Sequence, residues 1–311
     1  ESQIANLKKK NLSKILFIIT SKSGSTIETL SNTFALNIIK KNAKNIIIIS
    51  EKKNNLLFSL ANKFDLFYIE HKNYIGGRYS VLSEVGIIPS YLMGVNINKL
   101  RLNLLGCLAG KGKTLLKKSI INLAILMKSK KIKNLIFLNY FPELEKFLYW
   151  SQQLIAESLG KKNKGILPLI SNAPKDHHSL LQLYLDGPKD KFFNIISFDK
   201  EAKEKINLKN FNINNFLNKK RLSYVKNAQK KAVIKSFKIK KIPFREFRIK
   251  NANEEALGEL FSFFISYIIL KTQKVYVFGK NKPLLFMRGV FGTIGLYCYF
   301  EIIQNIPLAT A

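Results

Sequence analysis

Residues 14–41 read KILFIITSKSGSTIETLSNTFALNIIKK, and this stretch decides the fold class. Its first seven residues, 14–20, are apolar and rich in β-branched side chains, which predicts a buried strand. A polar turn over 21–26 follows, and then apolar residues at helical spacing predict a helix from about 25 to 41. A turn between a strand and a helix exposes main-chain N–H groups beside the positive helix end, and both favour an anion. The hydroxyls of the turn and Lys22 add further donors. Ser25 followed by Glu28 is a capping-box pattern, which predicts that the helix starts at Ser25. A capped strand-to-helix turn with no ligand has the same composition, so the turn alone leaves both readings open.

The alternation continues outward. Residues 45–50 predict a buried strand, 54–63 a helix and 66–70 a further strand, so the sheet is expected to be parallel. A loop is predicted over 74–89, then helices over 98–109 and 113–127. Strands at 134–139, 166–170, 192–198 and 243–249, with helices at 142–160, 221–238 and 253–270, predict a second α/β domain.

Composition narrows the class. The 311 residues are 47% hydrophobic, enough for about two ordinary cores. The apolar runs 260–270 and 289–300 are shorter than the ~20 residues a membrane-spanning helix needs, and the first is expected to be a buried helix. Cys107 and Cys298 lack the clustered spacing of a disulfide framework or a zinc site, which fits a reducing cytoplasm. A formal charge of +32 attracts polyanions, yet only six of the 52 basic residues are Arg, and the Lys residues are scattered along the whole chain. With no basic stripe interleaved with aromatic platforms, no specific nucleic-acid partner is expected.

Three further segments carry candidate chemistry. Gly76-Gly77-Arg78 lets the backbone approach a ligand while a guanidinium supplies fixed donors, although a surface Arg on a loop has the same sequence. In the helix over 142–160, Leu144, Phe147, Leu148, Leu154, Ile155 and Leu159 form the expected core stripe, with Trp150, Gln153 and Glu157 along its edge. Glu157 is therefore expected to border apolar surroundings, where a carboxylate pKa rises toward neutrality and suits a carbon base; a solvated Glu is the alternative. His177 and His178 adjoin on a turn, and neighbouring turn residues rarely ligate one ion together, so no metal is expected.

These segments resemble one family. SKSGSTIET, from Ser21 to Thr29, is similar to the phosphate-holding loop of the sugar isomerase (SIS) family, which implies that Ser21, Lys22, Ser23 and Thr26 contact the phosphate of a sugar phosphate. GGRYSVLSEVGIIP, QQLIAESLGK and DHHSLLQLYLDGPKD resemble, in order, three signatures of the glucose-6-phosphate isomerases. The resemblance implies Glu157 as catalytic base, Gln153 as a substrate contact, Arg78 as the cation that stabilises enediolate charge, and His178 as the acid and base of ring opening. His177 stands where the family has Gln. It further implies two flavodoxin-like α/β/α sandwich domains with parallel sheets, no cofactor, a cytoplasmic enzyme of glycolysis and gluconeogenesis, and a homodimer in which His178 serves the partner's site. Phosphomannose isomerisation is a related activity, and a sugar-phosphate binder without turnover is the alternative.

The expected organisation is an incomplete first SIS domain over 1–88, a connecting helical segment over 89–112, a second SIS domain over 113–271, and a segment over 272–311 outside the family pattern. Glu1 rather than Met opens the sequence, and the family's upstream Gly-Gly-Ser turn does not precede Ser21, so a piece of a longer protein is expected. Lys280 and Lys282 lack the neighbours of the family's ring-opening Lys, and 288–311 loosely resembles a membrane segment of EamA-type transporters.

Overall fold

The computed structural model describes residues 1–102, 104, 110–128, 131–161, 163–199, 204–208 and 215–272. Cys107, Lys280, Lys282, Cys298 and the expectations for 273–311 lie outside the described residues.

The first unit is a parallel sheet of β1 (Phe17–Thr20), β2 (Ile46–Ser50) and β3 (Phe67–Glu70), in that spatial order. Phe17 pairs with Ile46, and Ile47 with Phe67. The isoleucine run of β2 belongs in the centre because Ile46, Ile48 and Ile49 are fully buried. Helices α1 (Ser2–Lys8), α2 (Ile27–Leu36) and α3 (Leu56–Phe64) share one hydrophobic core with the sheet. Leu36 and Leu57 close its core over Ile46 and Ile48.

A 3-10 turn over Gly77–Leu82 and a helix, α4 (Glu84–Leu92), together replace most of the loop predicted over 74–89. Pro89 lies inside this helix, where it removes one intrahelical donor. Ser80 Oγ donates to the Gly77 carbonyl at 2.6 Å and Ser83 Oγ to the Ser80 carbonyl at 2.8 Å, which folds the turn onto the helix start. Gly86 makes that contact possible, since a Cβ there would stand 2.0 Å from the Val81 carbonyl oxygen.

Two helices follow, α5 (Ile97–Leu102) and α6 (Gly110–Lys128). The second sheet has the order β5-β4-β6-β7, all parallel: β4 (Asn134–Asn139), β5 (Leu167–Asn172), β6 (Lys191–Phe198) and β7 (Phe244–Ile249). The central strand flanked on one side by the next and on the other by the third is the start of a flavodoxin-like winding. The pleat sends Leu135 and Phe137 to one core and Ile136 and Leu138 to another, so each face of the sheet has its own layer. The first layer holds α7 (Glu145–Leu159) and α10 (Glu254–Thr272), through Leu148, Leu154, Phe264 and Tyr267. The second holds α8 (Leu181–Asp186) and α9 (Leu222–Ile239), through Tyr184, Val233 and Phe237.

Over 260–268 the apolar run is thus part of a core helix, and no helix among the described residues is long and apolar enough to cross a membrane. The segment between the sheets is fastened to the second one. A Cβ on Gly258 of α10 would meet the Leu100 carbonyl of α5 at 2.0 Å, and Ser262 Oγ donates to the Leu104 carbonyl at 2.7 Å.

Candidate active site

The turn over 21–26 leaves β1 at the carboxyl end of its strand, where parallel sheets receive ligands. Ser21 is buried; its Oγ shares a 2.7 Å hydrogen bond with Thr26 Oγ1 and accepts the Thr26 N–H at 3.4 Å. Ser23 Oγ accepts from Ser25 Oγ at 3.1 Å. The hydroxyls bond to each other, so the predicted capping box does not form. Helix α2 starts one residue later, on Thr26, with no side-chain cap.

Gly24 is the fixed point of this turn. Its φ is +67°, its carbonyl accepts from Leu57 N at 3.2 Å, and a Cβ on it would lie 1.8 Å from Asn55 Oδ1. Asn55 cannot retreat cheaply, because Oδ1 caps α3 through Phe58 N at 3.0 Å while Nδ2 donates to the Glu51 carbonyl at 2.8 Å. Gly24→Ala is therefore expected to cost about 1–3 kcal/mol of stability, read by urea unfolding, and to weaken inorganic phosphate binding.

Lys22 leaves the turn. Its ammonium donates to the carbonyls of Asn73 at 3.0 Å and Ile75 at 2.8 Å and pairs with Glu51 at 3.3 Å. Lys53, as hydrogen-bond donor, and Lys22 hold the Glu51 carboxyl below the usual carboxylate range against the opposing effect of burial.

Arg78 and Glu157 meet across the two units. Arg78 Nη1 is 3.6 Å from Glu157 Oε2, and Gln153 Nε2 donates to Glu157 Oε1 at 2.8 Å. One turn of α7 brings Gln153 and Glu157 together, four residues apart. The expected apolar setting of Glu157 is corrected here: the side chain is 47% exposed and its partners are polar. The reason is that α7 buries Ser151 and Ser158 with its apolar residues, while Leu144 and Leu159 of the expected stripe are only partly buried.

Those serines include the site residue that pattern reading missed. Arg78 Nε donates to Ser158 Oγ at 2.7 Å, Tyr79 Oη lies 3.2 Å from the same oxygen, and the Arg78 guanidinium lies over the Tyr79 ring at 4.9 Å. Trp150 Nε1 donates to the Arg78 carbonyl at 3.0 Å. Ser158 directly follows Glu157 within the matched motif, which was the available signal.

His178 is exposed, and no hydrogen bond or ion pair among the described residues joins it to Arg78, Gln153 or Glu157. His177 turns inward instead. Its Nε2 is 2.7 Å from Tyr140 Oη, and burial raises the Tyr140 pKa, so the phenol donates and the imidazole accepts. Burial, reinforced by His178 and opposed by Asp176, lowers the His177 pKa below 6.5. The folded state therefore disfavours a proton that the unfolded chain accepts. The His177 contribution to stability is complete above pH ~6.5 and is lost as pH falls below it. A Gln at 177 carries no titrating ring, so His177→Gln is expected to shrink the fall in melting temperature between about pH 7.5 and about pH 5.5.

Comparison with known proteins gives one consistent answer. The sequence profile of the family described as phosphoglucose isomerase matches residues 2–166. The chain is 32% identical to the glucose-6-phosphate isomerase of Methanocaldococcus jannaschii over 299 residues, covering 91% of this chain and 72% of that protein. It is 31% identical to the glucose-6-phosphate isomerase of Mycoplasmopsis synoviae over 301 residues, covering 90% and 68%. Among solved structures, a hypothetical protein of Thermus thermophilus superposes with a TM-score of 0.74 at 23% identity, over 94% of this chain and 74% of that one. A glucose-6-phosphate isomerase of Chlamydia trachomatis does so with a TM-score of 0.67 at 16% identity, over 99% and 63%. At these identities the two superpositions speak for the fold.

Proposed function

The chain belongs to the phosphoglucose isomerase family, and on that premise we propose that it interconverts glucose 6-phosphate and fructose 6-phosphate through a cis-enediol. One observation carries the assignment of the site: a helix carboxylate, Glu157, held by Gln153 and facing the Arg78 guanidinium at 3.6 Å. An open-chain aldose and its ketose differ by the position of one carbon-bound hydrogen and one oxygen-bound hydrogen, so no net oxidant is needed. What the reaction needs is a base that removes a proton from one carbon and returns it to the next, with a cation for the oxyanion formed between those steps.

Glu157 takes the proton from C2 of the open-chain aldose, the electron pair becomes the C1–C2 double bond, and Arg78 stabilises the developing enediolate. A proton passes from O2 to O1, and the same carboxylic acid then protonates C1 as the C2 carbonyl forms, which leaves the ketose. The turn of Ser21, Ser23 and Thr26 binds the phosphate with hydroxyls and main-chain amides, and Lys22 contributes its amide, since its ammonium is engaged elsewhere. Fixing the phosphate end orients the two reacting carbons over the carboxylate.

His178 opens the sugar ring. Its exposure and its separation from the bonds around Arg78 favour action on the site of a partner subunit, in a cytoplasmic homodimer. The first sheet with residues 1–88 forms one SIS domain, 89–112 connects, and 113–271 forms the second. An assay supplying fructose 6-phosphate and detecting glucose 6-phosphate through a coupled dehydrogenase tests the reading. Turnover is expected, and a folded, phosphate-binding chain without turnover would refute it.

A further inference from the structure

The loop that carries Arg78 is tied at one atom. The main-chain carbonyl of Ile75 accepts from Lys22 Nζ at 2.8 Å and lies 3.2 Å from His71 Nε2. A carbonyl only accepts, so Nε2 carries the hydrogen of that bond. Nδ1 of the same ring faces Glu84 Oε1. Wherever the proton between them sits, the pair stays hydrogen-bonded and its net charge is unchanged.

The groups behind this contact come from four places in the fold. Lys22 lies in the phosphate turn, buried Glu51 just after β2, buried His71 just after β3, and Glu84 at the start of α4. His71 is 1% exposed and Glu84 13%. Polar and ionised groups lose solvation on burial, and an apolar plug would hold a loop without that loss. Directional bonds do what a plug cannot, which is to fix where a single carbonyl stands. Gly76 and Gly77 then lead directly to Arg78, whose guanidinium is received by Ser158 and faces Glu157.

We propose that Lys22, His71 and Glu84 are positioning residues that couple the phosphate turn to the placement of the Arg78 guanidinium. The coupling runs from the turn through Lys22 to Ile75, and from Ile75 through two glycines to the arginine. It rests on the isomerase reading only in giving Arg78 its catalytic task. Lys22, which the motif suggested as a phosphate ligand, has an ammonium that serves the arginine loop.

The test uses the full chain with Glu84→Ala, Glu84→Gln, Lys22→Met and the Lys22→Met/Glu84→Ala pair. Glu84→Ala is expected to lower kcat about 10- to 100-fold through misplacement of Arg78, with KM for fructose 6-phosphate and affinity for inorganic phosphate little changed. Glu84→Gln keeps a hydrogen bond to His71 Nδ1 in either ring state and is expected to restore most of the rate. Both lesions act through the Ile75 carbonyl, so the double variant is expected to lose no more than the worse single one.

A parallel arm needs no turnover. A five-carbon aldonate phosphate carries a carboxylate where the enediolate would form, and Glu84→Ala is expected to weaken it about tenfold relative to inorganic phosphate. Absence of turnover in the unmodified chain counts against the isomerase reading alone, and the ratio of these two affinities then decides the positioning role. Equal ratios in the unmodified chain and Glu84→Ala would overturn the proposal. So would a loss of phosphate affinity that follows melting temperature with no recovery in Glu84→Gln, which is what a merely structural role gives.

Discussion

Glu157→Gln is expected to lower kcat for fructose 6-phosphate about 10³-fold while KM stays within about threefold of the unmodified value. The amide keeps the size of the carboxyl and can still accept from Gln153, whose Nε2 is 2.8 Å away. It cannot take a proton from carbon. Ground-state contacts are retained, so the loss belongs to the transition state and shows in kcat. Glu157 is 47% exposed and outside the core of α7, so the thermal midpoint is expected to change little. Steady-state rates with the melting curve of the same preparation check both halves of the expectation.

Arg78→Lys is expected to lower kcat about 10²-fold, close to the cost of losing one donor at a developing oxyanion. The substitution keeps the charge and loses the geometry. Arg78 uses Nε on Ser158 at 2.7 Å to aim Nη1 toward Glu157, and a single ammonium cannot occupy both positions. Stacking on the Tyr79 ring at 4.9 Å is also lost. Ser158→Ala, which removes only the Nε partner, is expected to reproduce part of the defect, and a rate equal to that of the unmodified chain would refute this account of how Arg78 is aimed.

Much of this was legible in the sequence because the strands carry their own signal. Ile46 to Ile49 and residues 192–197 are largely buried, and runs dominated by β-branched and aromatic side chains, with only Asn194 and Ser197 polar in the second, mark such strands directly. The helix motif Gln153–Glu157 was legible because residues four apart share a face. What stayed hidden depends on contacts distant in sequence. Lys22 reads as a phosphate donor until the carbonyls 51 and 53 residues away are seen to take its ammonium.

Local rules also met competitors. The Ser25 cap lost to hydroxyl–hydroxyl bonding inside the turn, and the loop predicted over 74–89 lost to the packing that Gly86 permits. The setting of Glu157 was misjudged because two small polar residues, Ser151 and Ser158, took places in the core that larger apolar side chains were expected to fill. His71, the third histidine of the chain, carries no motif, and only the fold brings it to Glu84 and Ile75.

The most direct measurement incubates the chain with fructose 6-phosphate in deuterated water and follows the products by NMR, with Glu157→Gln in parallel. A carboxyl that removes a C1 proton exchanges it with solvent before returning one to C2. Glucose 6-phosphate carrying deuterium at C2, formed by the unmodified chain and lost in Glu157→Gln, is the predicted result. No exchange from a folded chain that binds phosphate, or exchange undiminished in Glu157→Gln, would contradict the assignment of Glu157 as the carbon base.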